Sequence, residues 1–402
     1  MNVGIVTTWF ERGAGVVSKQ FADIIGQRHP VFVYARGGES FAKDDPRWNL
    51  PYVYWSRPYK EYRSYVAKRE FCAWLRRHAI DAVVFNEQTF FEPMLWCKEM
   101  GVRTIAYIDY YTEEMLPLFH VYDALICNTR RHCSAFEGFP TVQYIPWGTH
   151  TALYKPASDD GRLVEEGVVT FFNSAGVSPE RKGTDTFIKA LDRCADVANV
   201  KGIVHTQISL DKKMPTLGDT IARLQREGRL EVVEKTVPAP GLYCRADVYV
   251  YPSVLDGIGL TVPEAISSGL ACLASDNPPM NEFVQPDFGR LIAIDRLYAR
   301  SDGYYWPQCR CVVDSLAQHI RDLAGDPALV VRMKRQARAY ALRHLSFEDN
   351  AQRIFDVLEG LALRPADERL KAQIRAFDRK GMKKLWLAYN RSGLSPLLDR
   401  FA

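Results

Sequence analysis

The sequence predicts an α/β protein with two doubly wound, Rossmann-like units and further helices at its C-terminal end. Two series of short apolar segments alternate with amphipathic segments, and a polar, proline-containing stretch separates the series. The length of 402 residues also exceeds that of one ordinary domain. We therefore expect units over 1–150 and 151–345, followed by helices over 346–402 that return toward the first unit.

The first series begins with a strand-like segment and continues through five more. Val17, Phe21 and Ile24 then recur on one helix face behind the first strand. The strands that we expect in this unit are 3–9, 31–35, 82–86, 103–109, 124–128 and 142–145.

The second series follows the polar stretch at about 146–161. The strands that we expect there are 168–172, 200–206, 230–233, 248–251 and 271–275. A long helical pattern after Ser315 completes this unit.

The composition is that of a folded soluble protein, with 47% hydrophobic and 25% charged residues. No apolar stretch reaches the roughly 18 residues that span a bilayer, and the strand-like start leads us to expect no signal peptide. The nine cysteines form no Cys-x-x-Cys pair, which favours reduced, mostly buried thiols. We expect a cytoplasmic protein.

The basic charge lies in the tail. The net charge is +4, yet residues 364–402 alone carry ten Lys/Arg against four Asp/Glu. Two interpretations stay open: helices that brace the first unit, or peripheral contact with the inner face of a membrane, since anionic lipids attract each base by about 1 kcal/mol. No nucleic-acid-binding module is recognisable, so we expect no nucleic-acid partner.

Glycines follow the first predicted strand of each unit. Gly13-Ala-Gly15 would let the backbone approach a phosphate or a sugar, although a plain tight turn explains it equally well. In the second unit, Arg181-Lys182-Gly183 precedes an amphipathic helix. Cations at such a position could stabilise a diphosphate, and the alternative is that they are solvated loop charges.

Two acids surround the start of a later helix. Asp256 opens the loop Asp-Gly-Ile-Gly-Leu260 after an apolar strand, and Glu264 follows eight residues later. A Thr261-to-Glu264 capping box would explain Glu264 alone, and a turn beside Gly257 would explain Asp256 alone. Together with the upstream cations, the two acids favour a ligand site.

These motifs resemble the donor half of the retaining family-4 glycosyltransferases (glycosyl transferases group 1), which have the GT-B fold. The resemblance covers 168–282 closely and the first half of the chain loosely. It implies two Rossmann-like domains that face each other across a cleft. It also implies a nucleotide-diphosphate sugar as donor substrate, with no cofactor and no protein nucleophile.

The resemblance further implies roles for single residues. Lys182 and Arg181 would bind the diphosphate and Glu264 the ribose hydroxyls, while Gly15 would lie near the donor. The transferred sugar would contact Asp256 and the backbone of Ile258, Gly259 and Leu260.

Three positions depart from the family pattern. Gly176 stands where many members have an arginine, and Asp256 is one methylene shorter than the usual glutamate. The histidine that the family has in its first unit is absent here. Asp109 could take over its role, or it could simply come next in the chain after the position of the missing histidine. Asp109 and Asp256 are thus the candidate catalytic residues. The chain contains no Asp-x-Asp, which favours a metal-independent reaction with no metal site.

Aromatic and basic residues at 52–59 are candidates for the acceptor side. Trp55 and Tyr59 could stack on a saccharide or bind a lipid-linked acceptor, and a helix packed against the core is expected from about residue 60.

The leading hypothesis is a retaining glycosyltransferase of glycan or polysaccharide biosynthesis. A sugar-nucleotide epimerase and a non-catalytic sugar-nucleotide or glycan-binding protein are the alternatives.

Overall fold

A computed structural model describes residues 1–36, 40–57, 64–158 and 160–391, with side chains described up to residue 382. Its contacts divide the chain into two compact units. The first contains Met1–Asn128, His132–Ile145 and the segment from Ala351 onward, and the second contains Thr129–Arg131 and Pro146–Asn350.

The elements up to the linker alternate as the sequence predicts. In chain order they are β1 (Val3–Thr7), α1 (Gly13–Ile25), β2 (Val31–Ala35), β3 (Val53–Trp55), α2 (Lys68–Arg77), β4 (Ala82–Asn86), α3 (Glu92–Glu99), β5 (Arg103–Ile108), a 3₁₀ segment (Glu113–Val121), β6 (Ala124–Cys127), α4 (Arg130–Ala135) and β7 (Val142–Tyr144).

The remaining elements continue the same alternation before the chain ends in helices. They are β8 (Val169–Gly176), α5 (Thr184–Arg193), β9 (Val200–Thr206), α6 (Leu210–Lys213), a 3₁₀ turn (Pro215–Leu217), α7 (Gly218–Arg226), β10 (Leu230–Glu234), a 3₁₀ turn (Tyr243–Arg245), β11 (Val248–Tyr251), α8 (Thr261–Ser267), β12 (Ala271–Ser275), a 3₁₀ turn (Met280–Phe283), β13 (Gly289–Ile292), β14 (Ile294–Tyr298), β15 (Gln308–Cys311), α9 (Val313–Gly325), α10 (Pro327–His344), α11 (Phe347–Ala351), α12 (Ile354–Glu359) and α13 (Glu368–Arg391).

Each unit contains one parallel sheet. The strand order is β3-β2-β1-β4-β5-β6-β7 in the first and β10-β9-β8-β11-β12-β13 in the second. Such strands are buried on both faces, which is why β1, β4, β11 and β12 read as continuous apolar runs. The order reverses between β1 and β4 and between β8 and β11, and ligands of doubly wound sheets bind at the carboxyl ends of strands at such points.

The sequence analysis missed four strands. β3 lies at a sheet edge, so residues 53–55 of the candidate acceptor segment 52–59 form a strand, and the acceptor role of that segment stays a prediction. β13 extends the second sheet, and β14 and β15 form a separate antiparallel pair. All four are short, and β14 and β15 carry charged residues, so none of them shows the apolar run of a central strand.

The C-terminal segment packs on the first unit. The buried carboxylate of Asp378 in α13 accepts hydrogen bonds from the backbone N–H groups of Phe91 and Glu92, at 3.0 and 2.8 Å. It thereby caps the start of α3, which has no cap of its own. Ahead of α13, the buried Asp123 accepts from the N–H of Arg364 at 2.6 Å and pairs with Lys98 at 2.8 Å.

All nine cysteines are free, and seven of them are buried. In the described part of the chain, no helix has the length and apolar character that crossing a membrane requires.

Candidate functional site

The switch point of the second sheet brings the predicted donor motifs together. Arg181 and Lys182 lie in the loop after β8, and Asp256 lies in the loop after β11. These two strands are neighbours, so their carboxyl ends lie at the same edge of the sheet. Residues 74 positions apart in sequence therefore share one site.

Gly183 makes the contact between the two loops possible. It has a φ of 65°, and a Cβ at this position would come within 2.0 Å of the carbonyl oxygen of Pro252. The carbonyl of Arg181 accepts hydrogen bonds from the N–H of Val254 and the hydroxyl of Ser253, both at 3.0 Å. Only glycine suits this conformation and this separation, which accounts for the glycine after the two cations.

Asp256 lies between both cations. Its carboxylate pairs with Lys182 and, at 3.1 Å, with Arg181, and it accepts a hydrogen bond from the hydroxyl of Tyr251. Burial alone would raise the pKa of Asp256, but the two cations and the hydrogen bonds outweigh burial and hold this pKa well below its usual range. Asp256 is therefore ionised at neutral pH.

Lys182 retains one N–H for a ligand. Its ammonium group donates to Asp256 and, at 2.5 Å, to the hydroxyl of Tyr251, while only 13% of its side chain is exposed. An ammonium group has three N–H donors. Burial lowers the pKa of Lys182, and the charge of Asp256 opposes that shift. The Arg181 side chain is 40% exposed, so a second cation reaches solvent beside it.

Glu264 does not form the predicted capping box. α8 begins at Thr261 with no side-chain cap, and the Glu264 carboxylate instead accepts a hydrogen bond from the buried Tyr243 hydroxyl at 2.6 Å. Burial raises the pKa of Glu264 to about 7, although hydrogen bonds from Tyr243 and Tyr154 oppose the shift. A helix cap therefore does not explain this acid, and its carboxyl is poised near neutral pH.

The loop between the two acids presents backbone donors. Gly259 has a φ of 77°, and the N–H groups of Ile258, Gly259 and Leu260 donate hydrogen bonds to no other residue that the structure describes. Such N–H groups can bind hydroxyl or phosphate oxygens.

A separate hollow of about 970 Å³ lies between residues 156–167 and α10, and Tyr243 forms part of its wall. Two of its cations are already engaged within the protein, because Lys334 pairs with the buried Asp247 at 2.7 Å and Arg338 donates to three backbone carbonyls. The switch point of the second sheet, where hydrogen-bond donors remain available, is the better candidate for an anionic ligand.

Of the predicted residues of the first unit, Gly15 and Asp109 follow strands at or next to its switch point, whereas Trp55 lies in the edge strand. Gly15 is buried in the first turn of α1, and a Cβ there would come within 2.0 Å of the Phe10 carbonyl oxygen, so packing explains this glycine. Asp109 directly follows β5 and is partly buried. Trp55 lies in β3, where its indole N–H donates to Asn49 at 3.0 Å. Tyr59 lies outside the described residues.

Sequence reasoning missed Glu87 and Arg36 in this unit. Glu87 follows β4 at the switch point and has a φ of 51°, which is uncommon for a residue with a side chain. The buried guanidinium of Arg36 donates to the carbonyls of Asn86 and Glu87 at 2.8 and 2.7 Å, and burial lowers its pKa to about 10. Glu87 and Asp109 line one small hollow.

A family model described as Glycosyl transferases group 1 matches residues 167–326, the stretch that contains Arg181, Lys182, Asp256 and Glu264. Residues 167–326 are thus similar to the group 1 glycosyltransferases. A sequence search of curated proteins found no significant match.

Solved structures with the same architecture align along most of the chain. A glycosyltransferase from Rickettsia africae ESF-5 superposes with a TM-score of 0.72 at 12% identity, covering 90% of this chain and 98% of its own. HepE of Anabaena in complex with UDP gives 0.70 at 15% identity, covering 90% and 100%. The HepE structure in complex with UDP-glucose gives 0.65 at 16% identity, with the same coverage. The predicted GT-B fold class is confirmed.

Within residues 167–326, sequence reasoning missed the tyrosines. Tyr251 bonds Asp256, and Tyr243 bonds Glu264. Tyr251 does lie in the expected strand 248–251, but an apolar strand gives no indication of which hydroxyl will reach which acid. The described residues contain no cluster of three His, Cys, Asp or Glu side chains that could bind a metal ion.

Proposed function

We propose that the protein is a metal-independent, retaining glycosyltransferase that moves a sugar from a nucleotide-diphosphate sugar to a saccharide or lipid-linked acceptor. We place it in cytoplasmic glycan or polysaccharide biosynthesis. One observation carries the proposal: two cations, two acids and three unpaired backbone N–H groups converge at the switch point of a group 1 glycosyltransferase domain.

Each of these protein groups suits one part of a sugar nucleotide. The third N–H of Lys182 and the exposed end of Arg181 face the diphosphate, and the N–H groups of 258–260 face oxygens of the sugar or the phosphate. The carboxyl of Glu264 retains acceptor capacity beyond the bond from Tyr243 and is suited to ribose hydroxyls. Gly15 is proposed as a donor-binding residue of the first unit.

The reaction needs no protein nucleophile. The bond between the anomeric carbon and the phosphate oxygen breaks, the acceptor oxygen bonds to the same face of that carbon, and the departing phosphate takes the acceptor proton. Lys182 and Arg181 stabilise the charge that develops on the phosphate, and such stabilisation is the largest catalytic term in many enzymes. On the acceptor side we propose Asp109, Trp55 and Tyr59.

A thermal-shift panel of UDP-, GDP-, ADP- and dTDP-sugars tests donor binding, with UDP-glucose first because HepE was solved with it. One of them at 100 times its Kd should stabilise the folded protein by about 2.7 kcal/mol. The control is Lys182→Met, which should abolish the shift, and its midpoint without ligand reports the separate cost of leaving the buried Asp256 with one cation. No shift with any sugar nucleotide would contradict the proposal.

Product analysis tests the reaction itself. With the donor identified, nucleotide release should depend on added acceptor and persist in EDTA, and NMR should show that the anomeric configuration of the donor is retained. Isomerised donor in the absence of acceptor would instead indicate an epimerase.

A further inference from the structure

Ring packing fixes the hydroxyl of Tyr243 on the Glu264 carboxylate. Three aromatic rings lie edge-on to the Tyr243 ring, with centres 5.6 to 5.9 Å away: Tyr154, Phe172 and Tyr249. Phe172 belongs to β8 and Tyr249 to β11, the two strands between which the order of the second sheet reverses. Tyr243 is only 5% exposed, and its hydroxyl donates to Oε2 of Glu264 at 2.6 Å. The strands of the switch point therefore also set the position of this hydroxyl.

This hydrogen bond restricts the orientation of the Glu264 carboxylate. A glutamate side chain turns about three bonds, so its carboxylate can occupy many positions near the start of a helix. The start of α8 offers no local partner, because no side-chain cap forms there. A carboxylate offers about four acceptor positions, and Tyr243 occupies one of them. Positions therefore remain for ribose hydroxyls while the carboxylate is held in place.

We propose that Tyr243 is a positioning residue for the donor, because its hydroxyl holds the Glu264 carboxylate where it can accept the ribose hydroxyls. The inference rests on the proposed function, which assigns the ribose to Glu264. It adds a residue that acts through Glu264 rather than through a contact of its own with the donor. Tyr243→Phe would keep the ring packing and remove only the hydrogen bond, so this variant isolates the role.

The same hydrogen bond affects the charge of Glu264. Burial raises the pKa of Glu264, and three groups of the second unit oppose that shift: the hydroxyls of Tyr243 and Tyr154 and the charge of Lys182. A hydrogen bond donated to a carboxylate stabilises its ionised form. Tyr243→Phe should therefore raise the pKa of Glu264 and move the pH dependence of sugar-nucleotide affinity to higher pH. If Tyr243 only fills space in the core, the pH dependence should not move.

A comparison of two nucleotides tests the role of Tyr243. UDP and 2′,3′-dideoxy-UDP, or the pair with the base that the thermal-shift panel identifies, are titrated calorimetrically at pH 8 into wild type and Tyr243→Phe. The dideoxy nucleotide has no ribose hydroxyls for Glu264 to bind. We expect Tyr243→Phe to raise the Kd of UDP about three- to tenfold and to leave the Kd of the dideoxy nucleotide unchanged. Equal rises for both nucleotides, or no rise for either, overturn the inference.

The double variant Glu264→Gln/Tyr243→Phe covers the case in which the single variant does not fold, because glutamine leaves no buried charge without its partner. Its Kd for UDP should stay within about twofold of that of Glu264→Gln, since Tyr243 acts through the carboxylate. A larger loss contradicts the inference. The matched control is Tyr340→Phe in α10, since the Tyr340 hydroxyl bonds to no residue that the structure describes, and neither Kd should change.

The pH profile and the wild-type protein supply the remaining outcomes. A profile for UDP-glucose that is the same in Tyr243→Phe and in the wild type contradicts the inference. A wild-type protein that binds UDP and the dideoxy nucleotide equally contradicts the ribose role of Glu264, and one that binds neither contradicts the proposed function. The inference falls in both of these cases.

Discussion

At the scale of single residues, the environments of the two acids push their protonation states apart. Asp256 lies between two cations and is ionised, whereas burial raises the pKa of Glu264 to about 7. Two acids whose pKa values differ in this way are typical of sites in which each acid has a different task. Donor binding should therefore depend on the state of Glu264, while Asp256 stays charged throughout the neutral range.

Affinity for a sugar nucleotide should rise with pH. In the role proposed for Glu264, an ionised carboxylate accepts ribose hydroxyls better than a protonated carboxyl, and this carboxyl ionises as the pH passes through about 7. Between pH 8 and pH 6 we expect the Kd to increase about tenfold. Calorimetric titration with a sugar nucleotide measures this cleanly, because a nucleoside diphosphate has a terminal phosphate that itself titrates near pH 6.

Glu264→Gln tests the source of that dependence. The variant should bind more weakly at pH 8 and lose most of the change between pH 6 and pH 8. Glu166→Gln, at an exposed position of the same unit, is the control and should follow the wild type. An unchanged pH profile in Glu264→Gln would assign the titration to another group.

At the scale of elements, the sequence predicted the long central strands and failed where distant residues decide. The apolar runs of β8, β9, β11 and β12 were found because a parallel sheet buries them completely. The start of α8 was also predicted, yet the capping box does not form, since Tyr243 takes the Glu264 carboxylate. A sequence motif shows which residues lie near one another in the chain. It does not show a hydrogen bond from a distant residue, such as Tyr243, that replaces the local one.

The turn before α5 can be tested through Gly183. Alanine at this position would add the cost of a positive φ to a clash of its Cβ with the Pro252 carbonyl oxygen at 2.0 Å. We expect Gly183→Ala to lower the free energy of unfolding by about 2 kcal/mol or more. Because the turn carries Lys182 to Asp256, the affinity for a sugar nucleotide should fall as well.

Gly228→Ala separates the two costs. Gly228 has nearly the same φ, 69°, but a Cβ there meets no atom within 4 Å. This control should lose about 1 kcal/mol and keep its affinity for the sugar nucleotide. Equal losses of stability and of affinity in both variants would show that the clash with Pro252 has no effect.

At the scale of the whole molecule, alternation along the chain predicted two doubly wound units, but the course of the C-terminal segment depends on buried contacts. From its clustered bases we expected helices that brace the first unit, with membrane contact as the alternative. In the structure, α13 contributes Ile374 and Asp378 to the core of the first unit, and Lys380 pairs with Glu114 at 2.7 Å. No local pattern marks Asp378 among the charges of that helix as the one that caps α3.

Asp378 should make the stability of the first unit depend on pH. Burial raises its pKa from 3.8 to about 7, against the opposing bonds from Phe91 and Glu92. The folded chain therefore binds this proton more tightly than the unfolded chain, so the free energy of unfolding falls as the pH rises from about 4 to about 7. The Asp378→Asn variant has no carboxyl at this position, so its free energy of unfolding lacks this dependence on pH. From pH 5 to pH 8, the stability of the wild type should fall relative to the variant by roughly 2 kcal/mol.

Urea unfolding followed by tryptophan fluorescence suits the measurement, because Trp9, Trp48, Trp55, Trp74 and Trp96 all lie in the first unit. Asp44→Asn, at an exposed position, should follow the wild type at both pH values. A difference between wild type and Asp378→Asn that stays constant from pH 5 to pH 8 would show that this carboxyl does not titrate as its burial requires.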